Sequence, residues 1–309
     1  MRTIDKPVGI LYGHDSPVNP LFTILQSRGI PVTQLDPGAH TYDPSVRQIP
    51  FSLLLNDLSD TSNDNKYSLY SHSLSYIRHL EDTNPGFAQS RLINGSRATE
   101  ILSSRSRQLT VFSSLGLPFP RTFVISSVDQ LFAVTDELRF PLILKTDSIS
   151  VNSAAVYVHS LIDLMEVVAS EKVVLNGNST ILVQEYIRPK GKHLVRVETL
   201  NGQVTEALKL HVALDESVSS FVIVSAERYI LQPEIVRRIE KIVRAAHVEA
   251  GSVEYLTDPV TNAINFIGIR PHTYEISTET GNHALETAEH IARYVELRLL
   301  KVREIELAL

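Results

Sequence analysis

The sequence contains no cysteine among its 309 residues. Disulfide bonds, thiolate nucleophiles and cysteine metal sites are therefore excluded. No stretch of the sequence is long and apolar enough to span a bilayer, and residues 1–7 lack the apolar core of a signal peptide. We therefore expect a cytoplasmic protein without a membrane partner.

The charge balance argues against another class of partner. The formal net charge is −6, which makes generic binding of nucleic acid a poor explanation of the chain. Hydrophobic residues make up 43% and charged residues 21%, as in ordinary globular proteins. A chain of 309 residues is long enough for two or three subdomains.

The first hundred residues predict a small parallel α/β domain. Residues 8–12 read as a strand, residues 21–28 as a helix that ends at Gly29, and residues 30–35 as a second strand. The connecting loop, residues 13–17, either binds an anion at the helix start or is a simple turn, since it lacks the G-x-G-x-x-G pattern.

The segment of residues 180–200 carries the clearest signal for a ligand. A β-branched apolar run, Ile181 to Val183, turns polar in the sequence Gln-Glu-Tyr-Ile. The segment breaks at Pro189 and Gly191 and then resumes with strand alternation. Such a strand end could hold a flat heterocycle such as adenine, or it is a core strand followed by a polar turn.

Two further segments have recognisable patterns, a helix with a proline-rich run after it and an apolar strand that ends in lysine. Residues 96–115 predict one helix, followed by Gly116 and the run Leu-Pro-Phe-Pro-Arg-Thr. Residues 140–145 predict an apolar strand that ends in Lys145. A lysine in this position is partly desolvated and favours an anionic partner, although a solvent-facing side chain is the alternative.

Taken together, these segments resemble the ATP-grasp ligases. The Gln-Glu-Tyr-Ile strand end with Arg196-Val-Glu198, the Gly116 to Thr122 run with Gln108 before it, and the strand ending in Lys145 occur in the family's order. The resemblance is to the glutamate-ligase-like branch that includes the ribosomal-protein glutamate ligase. It implies an N-terminal parallel α/β domain, residues 1–97, and an ATP-grasp fold of two α+β subdomains, residues 98–187 and 188–309.

The resemblance also implies a nucleotide site. Adenine would contact the strand end, where the residues are Gln184, Glu185, Tyr186 and Ile187. Lys145 would reach the phosphates, and Arg105 falls where the family has a phosphate-binding lysine. Lys209 and Arg196 would face the phosphates or an acyl substrate.

The sequence departs from the family's pattern at two places. Residues 146–155 contain no glycine, although the family has a glycine-rich loop there, and Asp147 adds negative charge beside the expected phosphates. Glu254 matches a magnesium ligand, but the acidic-x-Asn motif that supplies the other ligands falls on Gly268 to Arg270. Arg270 would either neutralise a phosphate or pair with Glu254, and Glu275 is an alternative ligand.

Two functions follow from the resemblance. One is an enzyme that uses ATP and magnesium to ligate a carboxylate to an amine, releasing ADP, with Arg196 and Arg270 as its catalytic residues. Its substrates would be a small-molecule or peptide carboxylate and an amine. The other is a catalytically impaired homologue that binds nucleotide and acts as a regulatory subunit, docked on a protein partner or on a second copy of itself.

Overall fold

The structure is a computed structural model of the 309-residue chain. It describes residues 6–12, 20–58, 66–148, 155–170, 180–215, 220–271 and 281–308. The predicted anion loop of residues 13–17 and the alternative ligand Glu275 lie outside these ranges, as do residues 149–154 of the glycine-free loop. No helix of the described ranges is long and apolar enough to cross a membrane.

The N-terminal part is the predicted parallel sheet. Its strands have the order β2-β1-β3-β4 and are all parallel. They are β1 (Val8–Leu11), β2 (Val32–Leu35), β3 (Leu53–Asn56) and β4 (Leu92–Ile93). The helices of this part are α1 (Pro20–Ser27), α2 (Lys66–Thr83) and α3 (Pro85–Arg91). Gly29 ends α1 with a φ of +73°, a conformation that glycine adopts without steric cost.

A small antiparallel sheet follows, covered on one face by two helices. Its strand order is β5-β8-β6-β7. The strands are β5 (Thr122–Ile125), β6 (Leu142–Thr146), β7 (Val156–Val158) and β8 (Ile181–Glu185). Helices α4 (Ser96–Leu102) and α5 (Arg105–Ser114) precede it, and α6 (Val128–Thr135) and α7 (Leu161–Ala169) lie within it.

The largest sheet is antiparallel and has the order β11-β10-β9-β12-β13. A 3₁₀ turn (Lys190–Lys192) leads into β9 (His193–Leu200), β10 (Gln203–Asp215), β11 (Ser220–Arg228), helix α8 (Pro233–Ala245), β12 (Ala250–Thr257) and β13 (Ile264–Arg270). Asn201 and Gly202 join β9 to β10 with φ of 53° and 73°, the positive values that an Asn-Gly hairpin turn requires.

One predicted helix is divided in the structure, and the last helix makes a long-range contact that the sequence did not predict. The single helix expected over residues 96–115 is two helices, α4 and α5, separated at Ser103 and Ser104. The last helix, α9 (Gly281–Ala308), does not join the large sheet's own core, since its buried face packs with β1 and α1. The chain therefore returns to its N-terminal sheet after completing the large one.

Candidate functional site

The small sheet presents Lys145 on the face that its helices do not cover. Leu142 and Leu144 of β6 pack into the core beneath α6 and α7, so the alternating residues Ile143 and Lys145 point the other way. The Lys145 amine donates a hydrogen bond to Gln184 Oε1 at 3.1 Å. Gln184 is held in turn by its own amide, which donates to Thr122 Oγ1 at 2.8 Å.

The large sheet presents a buried carboxylate between two guanidinium groups. Val195, Val197 and Val253 pack against the core on the α8 side, which leaves Arg196 and Glu254 on the opposite face. Arg196 donates to Glu254 Oε1 through Nη2 at 2.7 Å and through Nε at 3.0 Å. Arg270 on β13 donates to the other oxygen, Oε2, at 2.6 Å.

These contacts determine the ionisation of Glu254, whose side chain is only 5% exposed. Burial by itself would raise the pKa of Glu254, but the charges of Arg270 and Arg196 outweigh it and lower the pKa to about 2. The carboxylate is therefore ionised at every physiological pH. The salt bridge of Arg270 and Glu254, one of the two alternatives that the sequence left open, is present.

Arg105 enters from the N-terminal end of α5. Its Nε donates to the carbonyl of Thr146 at 3.2 Å, and its backbone N–H donates to the carbonyl of Asp147 at 2.9 Å. Burial and the charge of Arg270 lower the pKa of Arg105 to about 10, against the opposing effect of Glu254 and Asp147. The Arg105 guanidinium thus lies near the guanidinium of Arg270 and stays charged at neutral pH.

Asp147 has a structural role that the sequence did not reveal. Its Oδ1 accepts the N–H of Ser106 at 2.6 Å, and its Oδ2 accepts the hydroxyl of Ser104 at 2.9 Å. Both oxygens are therefore used at the first turn of α5, where backbone N–H groups lack partners within the helix. The negative charge predicted to oppose phosphates instead stabilises the start of the helix that carries Arg105.

Lys145 lies where the two sheets approach each other. Burial, Arg105 and Arg270 together lower the pKa of Lys145 to about 7, with Glu254 acting in the opposite direction. The Lys145 amine on the small sheet is therefore close enough to interact electrostatically with Arg105, Arg270 and Glu254. Four basic side chains, Arg105, Lys145, Arg196 and Arg270, lie around Glu254, which makes this cleft suited to an anion.

Gln108 fixes the distance between α5 and β13. Its Nε2 donates to the carbonyl of Ile269 at 2.7 Å, and its Oε1 accepts the N–H of the same residue at 3.0 Å. The side chain is buried. Gln108 thereby positions Arg105 relative to Arg270, a role that a motif match alone does not specify.

The end of β8 leaves one backbone donor available. The N–H groups of Glu185 and Tyr186 donate to the carbonyls of Arg121 and Pro141, each at 2.9 Å. No hydrogen bond within the described ranges uses the N–H of Ile187, the next residue along the chain. The Glu185 carboxylate accepts the backbone N–H of Arg139 through Oε1 at 3.0 Å.

The structure does not bring Lys209 into the cationic cluster. Lys209 lies opposite Val195 in the β9–β10 ladder, so its side chain shares the α8 face of the sheet, and Arg196 points to the other face. The Lys209 amine pairs with Glu227 at 3.1 Å and lies 5.1 Å from the ring centre of Tyr229. Lys209 and Arg196 were expected to face the same ligand. They point to opposite faces of the sheet, because Lys209 pairs with Val195 and successive residues of a strand alternate between faces.

The described residues do not fit a magnesium ion. Both oxygens of Glu254 already accept charge-assisted hydrogen bonds from arginines, and Gly268 has no side chain to contribute. Arg270 places a permanent positive charge at the position where a further oxygen ligand was expected. Within the ranges that the structure describes, no three His, Asp or Glu side chains form a metal-binding group.

Comparisons with known proteins show which family and fold the chain resembles. Residues 103–216 match the family described as RimK-like ATP-grasp domain. A RimK domain ATP-grasp protein from Sphaerobacter thermophilus has a similar structure, with a TM-score of 0.70 and 16% identity over 93% of this chain and 98% of that one. No curated protein matches the chain by sequence.

Two nucleotide-bound structures are also similar. The ATP-grasp ligase PsnB, solved with a phosphomimetic variant of its minimal precursor, magnesium and ADP, has a TM-score of 0.66 and 12% identity over 96% of this chain and 99% of that one. D-alanine–D-alanine ligase from Bacillus anthracis with ATP has a TM-score of 0.66 and 13% identity over 97% and 99%. The ATP-grasp resemblance is confirmed: residues 103–216 match the family model of the RimK-like ATP-grasp domain, and the chain has the fold of the ATP-grasp ligases.

Proposed function

We propose that the cleft between the two antiparallel sheets binds ATP and that the chain is an ADP-forming carboxylate–amine ligase. The observation that carries the proposal is the meeting of Lys145, from the small sheet, with Arg105, Arg196 and Arg270 around one carboxylate. A polyphosphate supplies the negative charge that this cluster lacks. The ATP, ADP and peptide precursor in the similar ligase structures support the same assignment.

Each group has a defined task in this proposal. The Ile187 N–H donates to the heterocycle at the end of β8, and the nearby Tyr186 and Tyr157 rings, 5.3 Å apart, provide apolar surface. Lys145 and Arg105 bind phosphate oxygens. Arg196 and Arg270 stabilise the charge that develops during transfer.

The reaction needs no nucleophile from the protein. A carboxylate oxygen of the substrate attacks the terminal phosphorus of ATP, which breaks the bond to ADP and yields an acyl phosphate. An amine then attacks the acyl carbon, phosphate leaves with the bonding electrons, and the amine nitrogen loses a proton to give the amide. A chain without cysteine is compatible with this sequence of steps.

Calorimetric titration of ATP tests the nucleotide site. Replacing Lys145 with alanine removes a charge-assisted contact and should weaken binding by about 1–3 kcal/mol. Lys241 is a matched control, because it is an exposed lysine on the outer face of α8, and Lys241→Ala should leave the affinity unchanged. Equal affinities of wild type and Lys145→Ala would contradict the proposed role of Lys145.

A second function is favoured by one observation, the engagement of both Glu254 oxygens by arginines. Under this alternative the chain binds nucleotide without turnover and acts through a protein partner. Hydroxylamine distinguishes the two, because it converts an acyl phosphate into a stable hydroxamate. Formation of ADP and hydroxamate with pools of carboxylic acids or peptides supports the ligase, and tight ATP binding without either product supports the non-catalytic function.

A further inference from the structure

We infer that the cleft prefers a polyphosphate free of divalent cation, with the Arg270 guanidinium supplying the positive charge that magnesium would provide. The inference rests on the proposed nucleotide binding and specifies the form of the anion. It follows from the disagreement between the described side chains and a magnesium site. The guanidinium groups of Arg105, Arg196 and Arg270 are in the cleft before any ligand arrives.

Both oxygens of Glu254 are engaged by arginines. A hard cation entering the cleft would need a carboxylate oxygen, and Glu254 offers two. Each oxygen is held by a guanidinium at 2.6–2.7 Å, and the side chain is 5% exposed. To reach Glu254, the ion would have to displace an arginine from a buried carboxylate, and breaking such an ion pair is costly.

The charge of the ligand also favours the metal-free anion. Metal-free ATP carries more negative charge than its magnesium complex, so it interacts more strongly with a fixed set of cations. Arg270 is 37% exposed, which places part of the guanidinium at the open side of the Glu254 pair. An arginine cannot lose its charge in this environment, whereas a metal ion can dissociate. The cleft therefore favours the free anion over the complex.

Gly268 shows how the site differs from one that fits a metal. A Cβ added at Gly268 would lie 3.7 Å from Glu254 Oε2 and 4.0 Å from Arg270 Nε, an ordinary contact distance. An aspartate at this position would therefore place a second carboxylate beside the first. The change Gly268→Asp with Arg270→Asn exchanges one cation for two oxygen-bearing side chains in the same place.

The experiment is calorimetric titration of the full chain with ATP, once with EDTA and once with excess magnesium. We expect magnesium to weaken binding by about tenfold or more, the scale set by losing one charge-assisted contact. Equal or tighter binding with magnesium would overturn the inference and leave the proposed nucleotide site standing. Absence of binding in both conditions would overturn the proposed site itself.

The double variant Gly268→Asp with Arg270→Asn gives the reverse test. Its ATP affinity should increase when magnesium is added, because Glu254 Oε2 is released and a second carboxylate lies next to it. Arg270→Lys keeps the positive charge and should retain the preference for metal-free ATP. Persistence of that preference in the folded double variant would show that Arg270 does not determine it. If the double variant does not fold, the comparison of wild type with Arg270→Gln decides, since the neutral side chain should reduce the preference.

Discussion

At the scale of single residues, the motif around Glu254 identified the carboxylate but not all of its partners. The sequence identified Glu254 as a chemically important carboxylate and left its partner open, either a metal or Arg270. The structure shows it between two arginines. The pairing with Arg196 could not be read from the sequence, because the two residues are 58 positions apart and meet only through the β9–β12 register.

Glu254 should contribute to stability in a pH-dependent way. Its folded pKa of about 2 lies below its ordinary value of 4.5, so its contribution is fully present above pH 4.5 and is lost as the pH falls towards 2. Glu254→Gln removes the carboxylate from a buried ion pair with Arg196 and should lower the free energy of unfolding by about 3 kcal/mol at pH 7. Urea unfolding at several pH values measures this.

The control is Glu234→Gln, because Glu234 forms an exposed pair with Arg238 on α8 and its side chain is 60% exposed. Its cost should be about 0.5 kcal/mol or less. The difference between wild type and Glu254→Gln should narrow below pH 4.5. A difference that stays constant from pH 7 down to pH 2 would contradict the ion-pair explanation.

Lys145 should make ATP binding depend on pH. Its pKa of about 7 means that much of the amine is neutral at pH 8, and a bound polyphosphate favours the charged form. Binding at pH 8 should therefore take up protons, and affinity should fall as the pH rises from 7 to 9. Calorimetry at pH 8 in two buffers with different ionisation enthalpies measures the uptake. Lys145→Arg stays charged and should bind without it, whereas equal proton uptake by both proteins would assign the proton to another group.

At the scale of elements, the break between α4 and α5 was hidden in the sequence. Residues 96–115 have the composition of one helix and contain no proline or glycine. Ser104 is the N-cap residue of α5, and its hydroxyl accepts the N–H of Arg107 at 3.3 Å. The capping is completed by Asp147, from a distant strand end. Local propensity predicted the helical character correctly, and a non-local contact determined where the helix divides.

Asp147 should therefore matter for stability. Asp147→Ala removes the acceptor for the Ser106 N–H and should cost about 1–2 kcal/mol in urea unfolding. Asp147→Asn keeps an oxygen acceptor and should cost less. Ser160→Ala, at the N-cap of α7, is a matched cap removal outside the cleft and should cost about 1 kcal/mol. Wild-type stability of Asp147→Ala would exclude the capping role.

At the scale of the whole molecule, strand order and long-range packing were only partly predictable. The parallel N-terminal sheet follows from the β–α–β pattern of the first residues, and the structure confirms it. The face on which Lys209 lies depends on its register with β9, and a bulge after Val204 shifts that ladder. A β-bulge carries no clear signal in one sequence. The domain limits at residues 97 and 187 remain predictions. Helix α9 packs against the first sheet, a long-range contact that no local pattern indicates.

The return of α9 should make the N-terminal core depend on the C-terminal end of the chain. Ile291 is 1% exposed and belongs to the cluster that also contains Val8, Leu25 and Ala250. Ile291→Ala should therefore lower the free energy of unfolding by about 2–5 kcal/mol, by lost burial and the cavity left behind. Leu297 on the same helix is 57% exposed, so Leu297→Ala should change stability by about 0.5 kcal/mol or less.

The same cluster also connects α9 to the cleft. Ala250 belongs to it and begins β12, the strand that carries Glu254, so Ile291→Ala should also destabilise β12. Hydrogen exchange should show faster exchange in both β1 and β12 of Ile291→Ala. Faster exchange confined to α9 would mean that the helix is attached to the core without supporting it.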